Sequence, residues 1–242
     1  MVKNMPMSLQ NNNYIKKVSC VIPCYNEGET IRNILKVATI HPLIDEVIVV
    51  DDGSRDNTKI IVRDFGKVKL LEHPKNRGKS SAVCTGIRVA LGEYIFLLDA
   101  DLIGLTADDI TKLLSPVLYH FVDESISLRK NPLVWRLTGA DITTGDRVFP
   151  RKALDGHLLE IDLLPSLNLE VFLNRLFIEK KFKVAVVSWD NVVGVYKHEK
   201  FGILSGIKKE ISMWMEMLKT VSFFELAYQL VWIHYRREDF FD

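Results

Sequence analysis

The chain has 242 residues, of which 48% are apolar and 26% are charged, and its formal net charge at neutral pH is +1. This composition excludes a disordered or collagen-like chain and allows one extensive buried core. The near-neutral balance provides no basic field, so nucleic acid is not an expected partner. Cys20, Cys24 and Cys84 form neither a Cys-x-x-Cys pair nor a disulfide framework, which favours buried thiols in a reducing cytoplasm.

Neither end of the chain predicts a membrane-spanning helix, because no apolar run reaches the roughly 18 residues that a span requires. Residues 1–17 are polar and predict a flexible tail. Residues 206–242 mix aromatic and aliphatic side chains with charged ones, which predicts an amphipathic helical segment. This segment would either lie peripherally on the cytoplasmic face of a membrane or pack against protein, whether the same chain or a second copy in a homodimer.

Between these ends, short apolar runs alternate with helical patterns. The apolar runs predict strands at 18–24, 46–50, 68–71, 94–98 and 183–187. The helical patterns cover 29–40, 58–65, 79–91 and 167–180, and another helix opens with a capping box at Thr106. Such alternation is typical of a single doubly wound α/β domain, with helices on both sides of a mostly parallel sheet.

Polar side chains follow three of the predicted strands. They are Asn26 and Glu27, Asp51 and Asp52, and Asp99 and Asp101. In a parallel sheet the carboxyl ends of the strands meet at one edge, and ligands bind there. The sequence therefore predicts a site at this edge.

The triplet from Asp99 to Asp101 is the most informative of these groups. Residues two apart on a strand face the same way, and two carboxylates on one side repel each other unless a cation lies between them. Mg²⁺ commonly takes one or two carboxylates together with phosphate oxygens and water. The triplet therefore indicates a metal–diphosphate site, with a pair of solvated acids as the alternative.

Two further motifs are open to two interpretations each. Asp51 and Asp52, followed by Gly53, would accept hydrogen bonds from a ribose or a base, or would simply form a turn. Lys79 opens a helix, where a cation attracts anions, or it is a surface lysine.

In their order and spacing these motifs resemble glycosyltransferase family 2, which has the GT-A fold. The segments that carry the resemblance are Val21–Glu27, Val49–Ser54, Asn76–Lys79 and Leu98–Asp101. The resemblance is dense over 18–105 and weaker to about 200. It implies a domain over 18–205, with a nucleotide-sugar half at 18–105 and an acceptor half at 106–205. It further implies a metal-dependent hexosyltransferase that uses a UDP- or GDP-linked sugar and Mg²⁺ or Mn²⁺, and it is closest to the dolichyl- and polyprenyl-phosphate sugar transferases.

The resemblance also implies roles for particular residues. Those that would bind the donor nucleotide are Pro23, Tyr25, Glu27, Asp51, Asp52, Lys79, Asp99 and Ala100. Those that would hold the metal are Asp101, with Asp99 and His198. Ser80 and Ser81 replace a Gly-rich stretch of many members, which affects mainly the role of Lys79.

In the second half, the resemblance implies catalytic functions for Asp101, Glu170 and Arg147. Gly145-Asp146-Arg147 resembles a Gly-x-Arg element of the acceptor region. Glu170 would be the general base, and Asp141 and Asp146 are the alternative candidates for that role. If the acceptor is already an anion, no strong base is needed, and Arg147 and Lys152 would bind its phosphate.

The sequence allows two classes of acceptor, which are a polyprenyl phosphate and a small hydroxylated or phosphorylated molecule. One alternative function is a non-catalytic nucleotide-binding protein on the same fold. Another is a P-loop NTPase, suggested by Gly78-Lys79-Ser80, but His73 stands where that motif requires glycine. A Rossmann dehydrogenase is disfavoured because no Gly-x-Gly-x-x-Gly follows the first strand.

Overall fold

The computed structural model describes residues 17–130, 138–165, 168–195 and 222–238. The strands are β1 (Val18–Cys24), β2 (Glu46–Asp51), β3 (Val68–Glu72), β4 (Tyr94–Leu97), β5 (Leu102–Ile103), β6 (Glu124–Arg129), β7 (Arg147–Pro150), β8 (Val184–Trp189), β9 (Val193–Gly194) and β10 (Arg237–Glu238). The helices are α1 (Ile31–Ala38), α2 (Thr58–Arg63), α3 (Lys79–Val89), α4 (Ala107–Leu118), α5 (Leu158–Leu163), α6 (Leu169–Glu179) and α7 (Phe223–Arg236), and a 3₁₀ turn covers Arg151–Leu154.

Eight of these strands form one sheet in the order β10-β8-β6-β7-β4-β1-β2-β3. Only β7 is antiparallel to its neighbours, and β5 pairs with β9 in a separate antiparallel ribbon. Since β1 pairs with β2 on one side and β4 on the other, the strand order reverses between β1 and β4. In sheets of this kind the reversal opens a crevice at the carboxyl ends of the strands.

Helices cover both faces of the sheet, as predicted for a doubly wound domain. Alternate residues of β1 show this directly: Cys20 and Ile22 pack in the cluster that contains α1 and α4. Val21 packs in the opposite cluster, which contains α3 and α6. The alternation follows from the two-residue period of a strand, and burial of both faces explains why these strands are continuous apolar runs. The three cysteines are free thiols and buried, as predicted.

The second half of the sheet differs more from prediction, because β6 and β7 were not predicted. In β6 the residues Glu124, Ser125 and Ser127 are polar yet fully buried, so the segment lacks the apolar run that marks a buried strand. The strand β7 has only four residues and begins at the last residue of the Gly145-Asp146-Arg147 element. Both strands therefore lack the apolar pattern by which a buried strand is recognised in a sequence, because polar groups in them are hydrogen-bonded inside the fold.

The predicted capping box of α4 is confirmed. The Thr106 hydroxyl accepts from the Asp109 backbone N–H at 3.3 Å, and the Asp109 carboxylate accepts from the Thr106 N–H at 3.0 Å. We expect Thr106→Ala to lower the free energy of unfolding by about 1 kcal/mol. Urea unfolding measures this loss, and Lys112→Ala on the same helix is the control. A loss no larger than that of the control would contradict the assigned cap.

The helix α7 packs one side against the domain. Its residues Leu226, Gln229 and Ile233 are buried, and β10 extends the sheet beside β8. The other side carries large exposed apolar residues, which are Phe224, Tyr228, Val231 and Tyr235. No helix in the described ranges is both long and apolar enough to cross a bilayer. The division of the chain at 205/206 stays a prediction, and residues 1–16 lie outside the described ones.

Candidate active site

The loops that follow β1 and β2 are joined by hydrogen bonds at the crevice. The backbone N–H of Asn26, a residue with φ of +57°, donates to Ser54 Oγ at 2.8 Å. Asn26 Oδ1 accepts from the Arg55 N–H at 2.8 Å, and the Glu27 N–H donates to Thr58 Oγ1 at 2.8 Å. These hydrogen bonds hold the loop that contains Tyr25, a residue that is 40% exposed at the rim of the crevice.

Asp52 shapes the next loop of the site, which covers residues 73–78. Its buried carboxylate accepts from the Gly78 N–H at 2.7 Å and the Arg77 N–H at 2.9 Å, and it lies 2.6 Å from His73 Nδ1. The neighbouring Asp51 is also buried and accepts from the Ser54 N–H at 3.1 Å. These acceptor positions are thus used within the protein, and contacts between the two acids and a nucleoside stay a prediction.

Gly53 lets the two loops approach each other closely. Its φ is +79°, and a Cβ at this position would lie 2.8 Å from the carbonyl carbon of Lys75. A cavity of about 400 Å³ opens beside it, between the loops that follow β2 and β3. Arg55, Lys59, Glu72 and His73 are among its lining residues, so side chains of both charges line this cavity.

Lys79 joins two of the predicted site acids. Its Nζ lies 2.7 Å from Asp99 Oδ1 and 2.8 Å from Glu170 Oε1, and the three side chains come from α3, the loop after β4 and α6. Burial disfavours the charge on Lys79, but Asp99 and Glu170 outweigh it and raise its pKa. The pKa of Asp99 is lowered, because Lys79 and Arg129 outweigh the effect of burial. The Lys79–Asp99 pair is therefore ionised at neutral pH.

Arg129, at the end of β6, is a site residue that the sequence reasoning missed. Its Nη1 lies 3.5 Å from Asp99 Oδ2, and its Nε lies 3.5 Å from Asp146 Oδ2. Both oxygens of Asp99 therefore face cationic groups. The sequence Arg129-Lys130-Asn131-Pro132 by itself is typical of a polar turn, which gives no sign of a strand that ends in the site.

Asp146 lies in the site, whereas Arg147 does not. Asp146 Oδ1 accepts from the Asp99 backbone N–H at 2.9 Å. Arg147 is fully buried, and its guanidinium donates to Asn174 Oδ1 at 3.0 Å and to the Thr144 carbonyl at 2.7 Å. The predicted contact between Arg147 and an acceptor phosphate does not fit this structure, because the guanidinium is buried and already bonded to protein groups.

Asp99 and Asp101 are also separated by the local backbone. The strand β4 ends at Leu97, and Ala100 and Asp101 lie in a turn, so the same-face relation expected of a strand does not apply. The Val195 N–H donates to the Asp101 carbonyl at 3.0 Å, which fixes this turn to the β5–β9 ribbon. Asp101 is partly exposed, whereas Ala100 is buried.

Within the described ranges, no group of three or more His, Cys, Asp or Glu side chains is close enough to hold a metal ion. His198, the third predicted ligand, lies outside those ranges. Asp99 already pairs with two cationic groups. The roles of Asp99, Asp101 and His198 as metal ligands therefore stay predictions.

The three acids predicted as general bases are all buried. Glu170 pairs with Lys79, and Asp141 accepts from the Thr143 N–H at 2.9 Å and from its hydroxyl at 2.8 Å. Burial raises the pKa of Asp141, and it raises the pKa of Asp146 to about 6 although the Arg129 charge opposes the shift. Each acid is thus engaged inside the protein.

Burial also raises the pKa of Glu124, from 4.5 to about 7, although the charge of Arg147 opposes the shift. Between these values the folded protein binds more protons than the unfolded chain, so stability falls as the pH rises. The stability that Glu124 contributes is complete below pH 4.5 and is lost as the pH passes through about 7. Glu124→Gln removes this titration.

We therefore expect the unfolding free energy of Glu124→Gln to fall less steeply with pH over this window, by at most about 1.4 kcal/mol per pH unit. Urea unfolding at a series of pH values measures the difference from the unmodified chain. Asp155→Asn, at an exposed acid, is the control. Parallel curves for Glu124→Gln and the unmodified chain would contradict the assignment.

Comparisons with known proteins match this architecture. Residues 19–127 match the family model described as Glycosyl transferase family 2. A glucosyl-3-phosphoglycerate synthase from Mycobacterium tuberculosis, solved with Mn²⁺ and UDP-glucose, superposes with a TM-score of 0.64 at 20% identity, over 83% of this chain and 78% of that one. This likeness confirms the predicted GT-A fold.

Curated relatives match over the same part of the chain. The poly-beta-1,6-N-acetyl-D-glucosamine synthase of Staphylococcus epidermidis is 33% identical over 129 residues, which is 52% of this chain and 28% of that protein. The UDP-N-acetylglucosamine–dolichyl-phosphate N-acetylglucosaminyltransferase of Methanococcus voltae is 33% identical over 138 residues, 48% of this chain and 54% of that protein. A dolichyl-phosphate beta-glucosyltransferase of Trichomonas vaginalis is 39% identical over 94 residues, which is 34% of this chain and 28% of that protein. The chain thus spans between 28% and 54% of the lengths of these relatives.

Proposed function

This chain belongs to glycosyl transferase family 2 through residues 19–127, and from that premise we propose that it transfers a hexosyl group from a UDP-linked sugar to a polyprenyl-type lipid phosphate. The UDP donor is supported by the name of the Methanococcus relative and by the UDP-glucose bound to the structural neighbour. The lipid phosphate is supported by the dolichyl phosphate in the names of two relatives. The observation that carries the acceptor class is the burial of every predicted general base.

On the donor side, we propose that Tyr25 and Pro23 form the rim of the nucleoside pocket, with Asp52 setting the shape of the 73–78 loop around it. Asp101 would hold Mg²⁺ or Mn²⁺ together with the diphosphate. The metal, when bound, neutralises charge that develops on the leaving nucleoside diphosphate. Lys79 is held between Asp99 and Glu170, so its ammonium group is already positioned before the donor arrives.

On the acceptor side, the chemistry depends on whether a proton must be removed. A hydroxyl acceptor requires a base within hydrogen-bond reach. Glu170, Asp141 and Asp146 are buried and bonded to protein groups, which makes each a poor candidate for that step. A phosphate is already an anion and attacks without prior deprotonation. The lipid phosphate is therefore preferred to a hydroxylated acceptor.

A direct test compares acceptors that differ only in this group. The full chain is incubated with UDP-glucose or UDP-N-acetylglucosamine and Mn²⁺, with polyprenyl phosphate or the corresponding polyprenol. We expect UDP release with the phosphate and none with the alcohol, and loss of release when EDTA removes the metal. Equal turnover of the alcohol would overturn the anionic-acceptor proposal. Binding of UDP and Mn²⁺ without turnover of any acceptor would favour the non-catalytic alternative.

Access to a lipid acceptor is supported by the exposed side of α7. Phe224, Tyr228 and Tyr235 are 84%, 57% and 87% exposed on one side of the helix, and Arg236 is exposed at its end. Aromatic residues of this kind favour the interface between water and lipid, and a cation favours anionic headgroups. We propose that this side lies on the cytoplasmic surface of a membrane.

Flotation with vesicles of phosphatidylcholine and phosphatidylglycerol tests the membrane proposal. We expect the full chain to float and the double variant Phe224→Ser/Tyr228→Ser to float less. A double variant at other exposed apolar positions, Ile40→Ser/Ile60→Ser, is the control. No flotation of the unmodified chain, or equal flotation of both double variants, would reject this surface.

A further inference from the structure

A series of buried polar side chains connects α7 to the active site. Gln229 on α7 is 1% exposed, Asn174 on α6 is 3% exposed, and Arg147 at the start of β7 is fully buried. Gln229 Oε1 accepts from Asn174 Nδ2 at 3.0 Å, and Asn174 Oδ1 accepts from Arg147 Nη1 at 3.0 Å. Buried polar groups are costly unless they are hydrogen-bonded, so this series favours one arrangement of its members.

The series also holds the 141–147 segment in place. Asn174 Nδ2 also donates to the Ile142 carbonyl at 2.9 Å, and Arg147 Nη2 donates to the Thr144 carbonyl at 2.7 Å. Gly145 follows the second of these carbonyls. Gly145 lies against the Lys79–Asp99 pair, so close that a Cβ would overlap both side chains. The two carbonyl contacts therefore determine how closely the segment approaches that pair.

The same series supports Glu170. Asn174 lies four residues after Glu170 on α6, which is one helical turn along the same side of the helix. Gln229 Nε2 donates at 3.2 Å to the carbonyl of Val171, the residue that follows Glu170. The first turn of α6 therefore contacts α7 through the Val171 carbonyl and contacts Lys79 through the Glu170 carboxylate.

The position of Gln229 on α7 indicates more than a space-filling function. Its buried neighbours on the helix, Leu226 and Ile233, are apolar and pack in a hydrophobic cluster. An apolar side chain at 229 would fill the same space without the cost of burying an amide. We propose that Gln229 is a positioning residue of the active site, which acts through Asn174 on the 141–147 segment and on the first turn of α6.

The kinetic test uses the full chain with Gln229→Met, which keeps an unbranched side chain of similar length and removes the hydrogen bonds of the amide with Asn174, Val171 and Glu225. Its kinetic arm rests on the proposed function. We expect kcat to fall about tenfold to hundredfold, because displacements of about 1 Å in a site have effects of this size. The KM for the UDP-sugar should not change, since Asp52 rather than Gln229 holds the donor loop. The control Ile233→Ala loosens the packing of α7 without touching the polar series.

A second measurement does not depend on sugar transfer. Hydrogen exchange of the 141–147 amides should be faster in Gln229→Met than in the unmodified chain, and unchanged in Ile233→Ala, with each protein kept below its unfolding transition. Unchanged exchange and kcat in Gln229→Met would overturn the inference, and so would equal changes in both variants. Faster exchange in Gln229→Met alone, in a chain that transfers no sugar to any acceptor, would sustain the inference and reject the proposed function.

Discussion

Asp101→Ala is expected to lose metal-dependent sugar transfer by about 10³-fold, because the removed carboxylate is the proposed protein ligand of the metal and a bound metal contributes several kcal/mol to the transition state. The fold should survive, since Asp101 is partly exposed and its turn is fixed by a backbone hydrogen bond from Val195. Initial rates of UDP release over a series of Mn²⁺ concentrations measure the effect. The rates of the variant should no longer respond to the metal.

The matched control for this prediction is Asp108→Ala, which removes an exposed acid whose partner is Lys112 on the surface of α4. Its rates and metal response should equal those of the unmodified chain. Normal metal-dependent turnover in Asp101→Ala would reject the metal assignment. A thermal shift caused by UDP with Mn²⁺ provides a second readout, because ligand binding stabilises the folded state, and this shift should shrink in Asp101→Ala alone.

Gly145→Ala is expected to reduce kcat/KM by about 10²-fold while the protein stays folded, because small displacements of reacting or orienting groups have effects of this order. A methyl group at this position would overlap Lys79 Nζ and the Asp99 carboxylate. Both are ends of side chains, so they can move apart without displacing the backbone. The Lys79–Asp99 pair, which measures 2.7 Å, would then lose its geometry.

Steady-state kinetics and a melting curve together test the Gly145 prediction. Gly66→Ala is the control, because no atom lies within 4 Å of a Cβ at that position. Both variants should melt close to the unmodified chain, and only Gly145→Ala should lose activity. Normal kinetics in Gly145→Ala would show that the ion pair tolerates displacement and does not orient the site.

The first half of the fold could be predicted from the sequence because its signals are local. Strands β1, β2 and β4 are buried on both faces and therefore read as continuous apolar runs, and their polar loops follow at the carboxyl ends. The boundary after Leu97 could not be predicted, since the buried Leu98 continues the apolar run. The turn at Ala100 and Asp101, which the apolar run does not indicate, removes the same-face relation between Asp99 and Asp101.

The second half of the fold could not be predicted in the same way, because it depends on contacts between residues that are distant in the sequence. Arg129 is a site residue only because β6 lies beside β8 and β7, and two of those three strands have no apolar signature. The burial of Arg147 depends on Glu124 and Asn174, which lie 23 and 27 residues away in the chain. Composition and periodicity contain no information on such pairs. The roles of the individual site residues stay predictions.

The pairing of β10 with β8 has a consequence for how the protein is made. Strands β1 to β4 adjoin one another and lie within the first 97 residues, so this part can assemble while the ribosome is still at work. Beside β8, by contrast, the sheet is completed only when Arg237 and Glu238 have emerged. Until then the edge of β8 at Val184 and Ala185 lacks this pairing within the part of the chain that the structure describes, and an unpaired strand edge is where chains associate with one another. Shortened forms that end before α7 should therefore be found in the insoluble fraction, even though the crevice motifs are intact.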